Sequence, residues 1–312
     1  MVPGLMTAPH TAASAHTAES ENNEGNKHMV IARTAVIGSG LMGAGIAEVL
    51  AKSGCDVIVS EVSDDAVAAG RARIEKSLAK AVEKGKLSAA ESEAALARLR
   101  FTTDIADLAD RQLVIEAASE NEDIKKAIFA QLDEVVTDPN AILASNTSSM
   151  PIIRFAQATS RPERVLGIHF FNPAPVQPLV EIVSSVLTDP EVAETATTFV
   201  TEVLGKAPVQ ASDRPGFIVN ALLIPYLCSA IRMLEAGLAT KEDIDTGMVK
   251  GCAHPMGPIA LADLVGLDTC LFAAESIYTE TGDPAAKPPV LLSRMVDAGL
   301  LGVKSGRGFY EY

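Results

Sequence analysis

Residues 33–61 read RTAVIGSGLMGAGIAEVLAKSGCDVIVSE. A short apolar, β-branched run ends in glycines, a longer stretch with Gly54 as its stop follows, and DVIVSE is a second continuous apolar run. Short runs that are apolar throughout, not alternating, mark strands buried on both faces, so the stretch predicts a βαβ unit with parallel strands. Gly38-Ser39-Gly40-Leu41-Met42-Gly43 fits the pattern GxGxxG. Glycines gather in turns by chance, and the pattern gains force only because it follows a strand and opens a helix. Gly38 then permits the tight turn, Gly40 leaves room for a pyrophosphate, and Gly43 lets helix and strand pack closely, with the helix N-terminus offering free N–H groups to the phosphates. Glu61 ends the second strand, where a carboxylate accepts both ribose hydroxyls of an adenosine. A 2′-phosphate would meet Glu61, Asp64 and Asp65, with no Lys or Arg anywhere in 57–70. The expected cofactor is therefore NAD and not NADP.

Working outward, Asp64 is placed as the cap of a long helix to about Gly85, and Ser88 with Glu91 reads as a capping box. Strands are expected at RFTTD, QLVIEA, AILASN and RVLGIHF, with a helix over 121–136 and a shorter one after Met150. This alternation implies a mainly parallel sheet covered on both faces. At LVEIV (179–183) a strand follows HFF after a Pro-rich connection too short for a helical crossover, which predicts an antiparallel pair. A helix over about 190–204 and a strand at APVQAS end the alternation. Beyond it the chain reads helical: Ser212 or Asp213 can cap a helix with Pro215 in its first turn, and further helices are expected over 241–250, 258–280 (broken near Gly266) and 288–298. The expected organisation is an NAD-binding domain over 30–213 and an all-α domain over 214–312. Residues 1–29, low in complexity and without a hydrophobic run, read as a disordered tail or leader and fit neither a secretory signal nor a presequence.

Composition narrows the function. With 26 Lys+Arg against 40 Asp+Glu, the net charge is −14 and the pI about 4.8, which offers no footprint for nucleic acid or anionic lipid. Hydrophobic residues at 48% exclude a disordered chain. The most apolar run, Phe217 to Ile231, is shorter than the roughly 20 residues a bilayer needs. Cys55, Cys228, Cys252 and Cys270 form no CxxC pair and read as reduced core thiols, not zinc ligands or disulfides, which suits the cytoplasm.

The segment GIHFFNPAPVQPLVEIV (167–183) carries His169 at the end of a buried strand and Glu181 on the returning one. Such strands can bring the two side chains together, and a carboxylate then fixes the imidazole in one tautomer and stabilises its protonated form. Spacing alone fits a core histidine satisfied by backbone equally well. The NAD loop shifts the balance toward a base, because sites in such folds gather beyond the carboxyl ends of the strands. His254, before Pro255 in a turn, reads as structural.

From about Ile31 to Tyr312 the sequence resembles the 3-hydroxyacyl-CoA dehydrogenase family, in particular its short bacterial members acting on 3-hydroxybutyryl-CoA. The resemblance is carried in order by GSGLMGAGIA (38–47), IEAASEN (115–121), ASNTSSM (144–150), HFFNPAPVQPLVEIV (169–183), DRPGFIVNALLIPYL (213–227), HPMGPIALADLVGLD (254–268) and KSGRGFYEY (304–312). It implies a Rossmann-type NAD domain, a helical dimerisation domain, and NAD-dependent oxidation of an L-3-hydroxyacyl-CoA to the 3-oxoacyl-CoA. By the same resemblance His169 is the base and Glu181 its partner, Ser148 lies near the substrate hydroxyl and nicotinamide, and Asn220 helps hold the substrate. Glu120, Lys125, Asn172 and Lys304 match positions that contact the cofactor, as do Ser39, Leu41 and Met42 in the glycine loop, while Ser77 and Lys84 match positions that touch CoA. The family usually has Asp where Glu61 stands. Ser149 competes with Ser148 on position alone. A homodimer is implied. Two rivals stay open: a dehydrogenase of free 3-hydroxy acids, and a non-catalytic NAD-binding protein.

Overall fold

In the computed structural model, which describes residues 31–312, strand β1 (Arg33–Ile37) lies inside an eight-stranded sheet. Residues 1–29 fall outside the described residues. On one side of β1 stand β2 (Asp56–Ser60) and β3 (Leu99–Thr102). On the other stand, in order, β4 (Leu113–Glu116), β5 (Ile142–Ser145), β6 (Val165–Phe170), β7 (Leu179–Ser184) and β8 (Ala207–Ser212). Every neighbouring pair is parallel except β6 with β7, where Pro-rich residues 171–178 allow only a direct return. Strand order reverses between β1 and β4, so a crevice opens at the carboxyl ends of these strands.

Alternate residues of each strand feed different cores. Val36, Val57, Val59 and Ile115 pack under α1 (Leu41–Lys52), α2 (Asp64–Glu83), α3 (Ala89–Ala97) and α6 (Pro190–Thr198). Ala35, Ile58, Val114 and Leu143 pack under α4 (Glu122–Val135) and α5 (Ile152–Ala156). Both faces being covered is why these strands are apolar throughout; full burial of one such Val or Ile is worth about 1.5–3 kcal/mol. Ser88 and Glu91 form the expected capping box at α3. At α2 the cap is Ser63, whose Oγ accepts from the Ala66 N–H at 3.3 Å, and Asp64 sits in the first turn instead.

The chain does not begin a helix at Ser212 or Asp213; α7 spans Val219–Glu235. Gly216 and Phe217 hold φ of +75° and +49°, which no right-handed helix accommodates. Asp213 turns back to the sheet domain, its two carboxylate oxygens each accepting an N–H at 2.8 Å from Ile152 and Ile153. Helix α5 needs this, because the residue at its own N-terminus is Pro151, which has no side-chain acceptor. Helices α8 (Lys241–Cys252), α9 (Pro258–Val265), α10 (Leu267–Thr281) and α11 (Val290–Asp297) then pack with α7 around Leu227, Ile231, Ile259, Leu267 and Leu292. Cys55, Cys228 and Cys270 are buried, but Cys252 at the end of α8 is exposed and is not a core thiol. Among the described residues no helix is long and apolar enough to cross a bilayer.

Candidate active site

The glycine turn joins β1 to α1. A Cβ on Gly43 would lie 1.9 Å from the Gly38 carbonyl oxygen, so only glycine allows helix and turn to meet so closely. A Cβ on Gly40 would meet nothing within 4 Å, which leaves open space above the turn. The first turn of α1 has neither a side-chain cap nor an acidic residue, so its amide N–H groups and positive end remain available to an anion. Leu41 is exposed and Met42 half-buried at this entry. Glu61, just past β2, accepts from the backbone N–H of Ser39 and, at 2.7 Å, from its hydroxyl, while Arg73 donates to the Ser39 carbonyl at 3.1 Å. An uncapped helix end, open space over Gly40 and a carboxylate at the end of the second strand fit the pyrophosphate and ribose of a dinucleotide.

At the other end of the crevice, His169 and Glu181 face each other directly across the β6–β7 pair. His169 Nδ1 lies 2.7 Å from Glu181 Oε2. Glu181 Oε1 accepts the N–H groups of Ile218 at 3.0 Å and Val219 at 2.9 Å, the open N-terminus of α7. Burial pushes this carboxyl up, yet the hydrogen bond to His169, the Val219 N–H, the imidazole charge and the Ile218 N–H outweigh burial and hold it below the ordinary Glu value. An ionised carboxylate can only accept, so Nδ1 carries a hydrogen, and in the neutral ring Nε2 then presents a lone pair. Phe171 and Phe217 stand against the ring with centroids at 4.6 and 5.6 Å, and His169 is 6% exposed.

Ser148 follows β5 in a turn tied to β6 by Asn146, whose Oδ1 accepts from the Phe170 N–H at 2.9 Å. Its hydroxyl has no hydrogen-bond partner among the described residues, whereas Ser149 is buried with its hydroxyl donating to Glu120 Oε1 at 3.3 Å. Ser276 on α10 donates to the Ser149 carbonyl at 3.5 Å, which brings the helical domain against this turn. Asn220, half-buried, is the next residue after Val219, so Glu181 anchors the backbone that carries it.

The remaining positions are spread more widely. Asn172 is exposed in the β6–β7 connection, joined to Pro173 by a cis peptide bond. Glu120 is paired with Lys125 at 3.1 Å, and Lys125 is fully buried with its ammonium also on Glu116 at 2.7 Å. Lys304 lies in the helical domain, where it pairs with Asp268. Ser77 lies on α2 and is half-buried, whereas Lys84 is the exposed residue just past the end of that helix. His254 hydrogen-bonds the Tyr226 hydroxyl at 3.2 Å inside the helical domain. Sequence reasoning passed over Glu116, which reads as a solvated strand end; the available signal was a charge closing an all-apolar strand with a lysine nine residues on.

Residues 33–214 match the family model of the 3-hydroxyacyl-CoA dehydrogenase NAD binding domain, and residues 216–312 that of its C-terminal domain. A Mycobacterium tuberculosis 3-hydroxybutyryl-CoA dehydrogenase is 57% identical over 282 residues, covering 90% of this chain and 99% of the relative. Human mitochondrial hydroxyacyl-coenzyme A dehydrogenase is 42% identical over 293 residues, 92% of this chain and 93% of that protein. Among solved structures, M. tuberculosis FadB2 aligns with a TM-score of 0.89 at 57% identity, covering 90% of this chain and 99% of the other. The (S)-3-hydroxybutyryl-CoA dehydrogenase PaaH1 of Ralstonia eutropha aligns at 0.85 and 44% identity, covering 90% and 99%. With both of its domains matched end to end and relatives this similar along nearly their whole length, the chain belongs to the 3-hydroxyacyl-CoA dehydrogenase family.

Proposed function

We propose that the chain oxidises L-3-hydroxyacyl-CoA, 3-hydroxybutyryl-CoA in particular, to the 3-oxoacyl-CoA with NAD, reversibly, as a step of fatty acid or butanoate metabolism. The observation that carries this reading is the buried His169–Glu181 pair, with Nδ1 tied and Nε2 free, at the carboxyl end of β6. NAD held over the glycine turn supplies the acceptor for the hydride of the hydroxyl-bearing carbon. His169 Nε2 takes the hydroxyl proton, and Glu181 keeps the ring oriented and stabilises the imidazolium that forms. The free Ser148 hydroxyl and the Asn220 amide position the substrate oxygen and thioester. Gly38 to Gly43 and Glu61 hold the dinucleotide, with Glu120, Asn172, Lys125 and Lys304 around it; Ser77 on α2 and Lys84 at its end meet the CoA moiety. The cleft lies between a domain over 30–213 and one over 214–312.

A homodimer through the helical domain is part of the same reading, supported by Leu222 and Met233, which are 74% and 45% exposed on α7; the mass in solution by light scattering checks it. Cysteines without disulfide partners suit the reducing cytoplasm.

The test pairs two substrates and one variant. NADH release should be rapid with 3-hydroxybutyryl-CoA and slow with free 3-hydroxybutyrate. Preference for the free acid would redirect the reading to a hydroxy-acid dehydrogenase, and silence with both to a binding protein. His169→Gln should lower turnover on the order of 10²–10⁴-fold while NADH binding, read by fluorescence, changes by less than about two-fold. Near-native turnover would remove His169 as the base.

A further inference from the structure

Beneath the Ser148 turn lies a set of charges buried more deeply than solvation permits for isolated groups. Glu116 is 0% and Lys125 1% exposed. The Lys125 ammonium donates to Glu116 Oε1 at 2.7 Å, to the Ala118 carbonyl at 3.5 Å, and pairs with Glu120 Oε2 at 3.1 Å. Its three hydrogens are thus engaged by the protein itself.

From these groups two hydrogen-bonded branches reach the turn. In the first, Glu116 Oε2 accepts the Ser145 hydroxyl at 2.6 Å, and Ser145 Oγ accepts the Thr147 N–H at 3.2 Å. In the second, Glu120 Oε1 accepts the hydroxyls of Thr147 and Ser149, while Thr147 Oγ1 accepts the N–H groups of Ser149 at 3.3 Å and Met150 at 3.1 Å. Residues 145, 147 and 149 are therefore held on both sides of Ser148, whose own hydroxyl is left free among the described residues.

We propose that Glu116 is a positioning residue: held by Lys125, it fixes the Ser148 hydroxyl for the substrate through Ser145 and Thr147. This rests on the reading of Ser148 as the serine that meets the substrate. The direction of the first branch matters. Every donor in it points toward the carboxylate, so an amide at position 116 that still accepts from Lys125 must present N–H to Ser145. The Ser145 proton then loses its acceptor, and its oxygen is shared between two donors.

The test is a double-mutant cycle on the full chain with Glu116→Gln, Ser148→Ala and the pair, reading kcat, KM and NADH affinity by fluorescence. Glu116→Gln should lower kcat by roughly ten-fold with NADH affinity kept within about two-fold, and the double variant should be about as slow as Ser148→Ala alone, since without the hydroxyl nothing is left to position. Ser145→Ala cuts the same branch without touching a charge and should repeat the pattern, which covers the case where Glu116→Gln does not fold. If Ser148→Ala is slow but the losses simply multiply, the proposal falls and the Ser148 assignment survives. If Ser148→Ala turns over near normally, the assignment fails and takes the proposal with it. Weakened NADH binding at unchanged kcat would overturn the proposal and place Glu116 among the cofactor contacts instead.

Discussion

Glu181 in the β6–β7 hairpin and Asp263 in α9 are both fully buried carboxylates that accept backbone N–H groups from a distant segment. Asp263 takes the N–H groups of Phe309 at 2.9 Å and Tyr310 at 2.8 Å, and the Tyr312 hydroxyl at 3.1 Å, so the end of the chain is clasped onto the helical core. Asp245 does the same for the start of α9, with Ile259 and Ala260, and takes the Tyr310 hydroxyl at 2.9 Å. The partners of Asp263 keep their protons at any pH the enzyme meets: burial and the neighbouring Asp263 push the Tyr312 phenol up to about 12. Glu181 spends one oxygen in the same way but gives the other to an imidazole. Capping a remote backbone with a buried carboxylate is a folding device used repeatedly here; at Glu181 an imidazole takes the place of one inert donor, as the proposed catalytic role requires.

The difference can be broken at either end. Glu181→Gln should have the largest effect. If the amide oxygen stays on Ile218 and Val219, its NH₂ faces Nδ1, and the ring must carry its hydrogen on Nε2, where it cannot accept a proton. If the amide turns over, its NH₂ collides with two backbone donors. Turnover should fall on the order of 10²–10⁴-fold, the scale of losing the base itself. Near-native rates would mean the tautomer is set by something other than Glu181. Asp263→Asn, by contrast, should lower stability by about 1–3 kcal/mol in urea unfolding, since three donors are left with poorer acceptors. Its turnover per folded molecule should stay within about two-fold of the parent. A collapse of kcat in fully folded Asp263→Asn would erase the distinction between clasp and site.

This contrast also explains what the sequence made legible. The parallel sheet, the glycine turn and the facing of His169 and Glu181 follow from local patterns: short apolar runs, GxGxxG between strand and helix, and a connection too short to cross over. The clasp was invisible because Asp263 and Phe309 are 46 residues apart and neither has a local signature. Asp213 looked like the cap of the helix after it, but Gly216 and Phe217 at positive φ delay that helix and free the carboxylate for α5. Glu116 looked solvated because only its tertiary partners, Lys125 and Ser145, show that it is not.

The smallest predicted effect lies in acid stability, and it separates two carboxylates that each hold a pair of backbone N–H groups. Glu181 is held below its ordinary value of 4.5, because His169 adds a hydrogen bond and a charge that overcome burial. A depressed carboxyl contributes stability that is present above the unfolded value and is lost as pH falls through the folded one. Asp213 has the opposite sign: burial outweighs the Ile152 and Ile153 N–H groups and the Arg154 charge, and raises it above 3.8. Its contribution is fully present below the unfolded value and is lost as pH rises through the folded one. Urea unfolding at about pH 5.5 and about pH 3.5 reads the difference directly. Relative to the parent, the stability gained between the lower and the higher pH should shrink in Glu181→Gln and grow in Asp213→Asn. Shifts in the same direction would show that the imidazole does not set the sign, and that the two caps behave alike despite the ring beside only one of them.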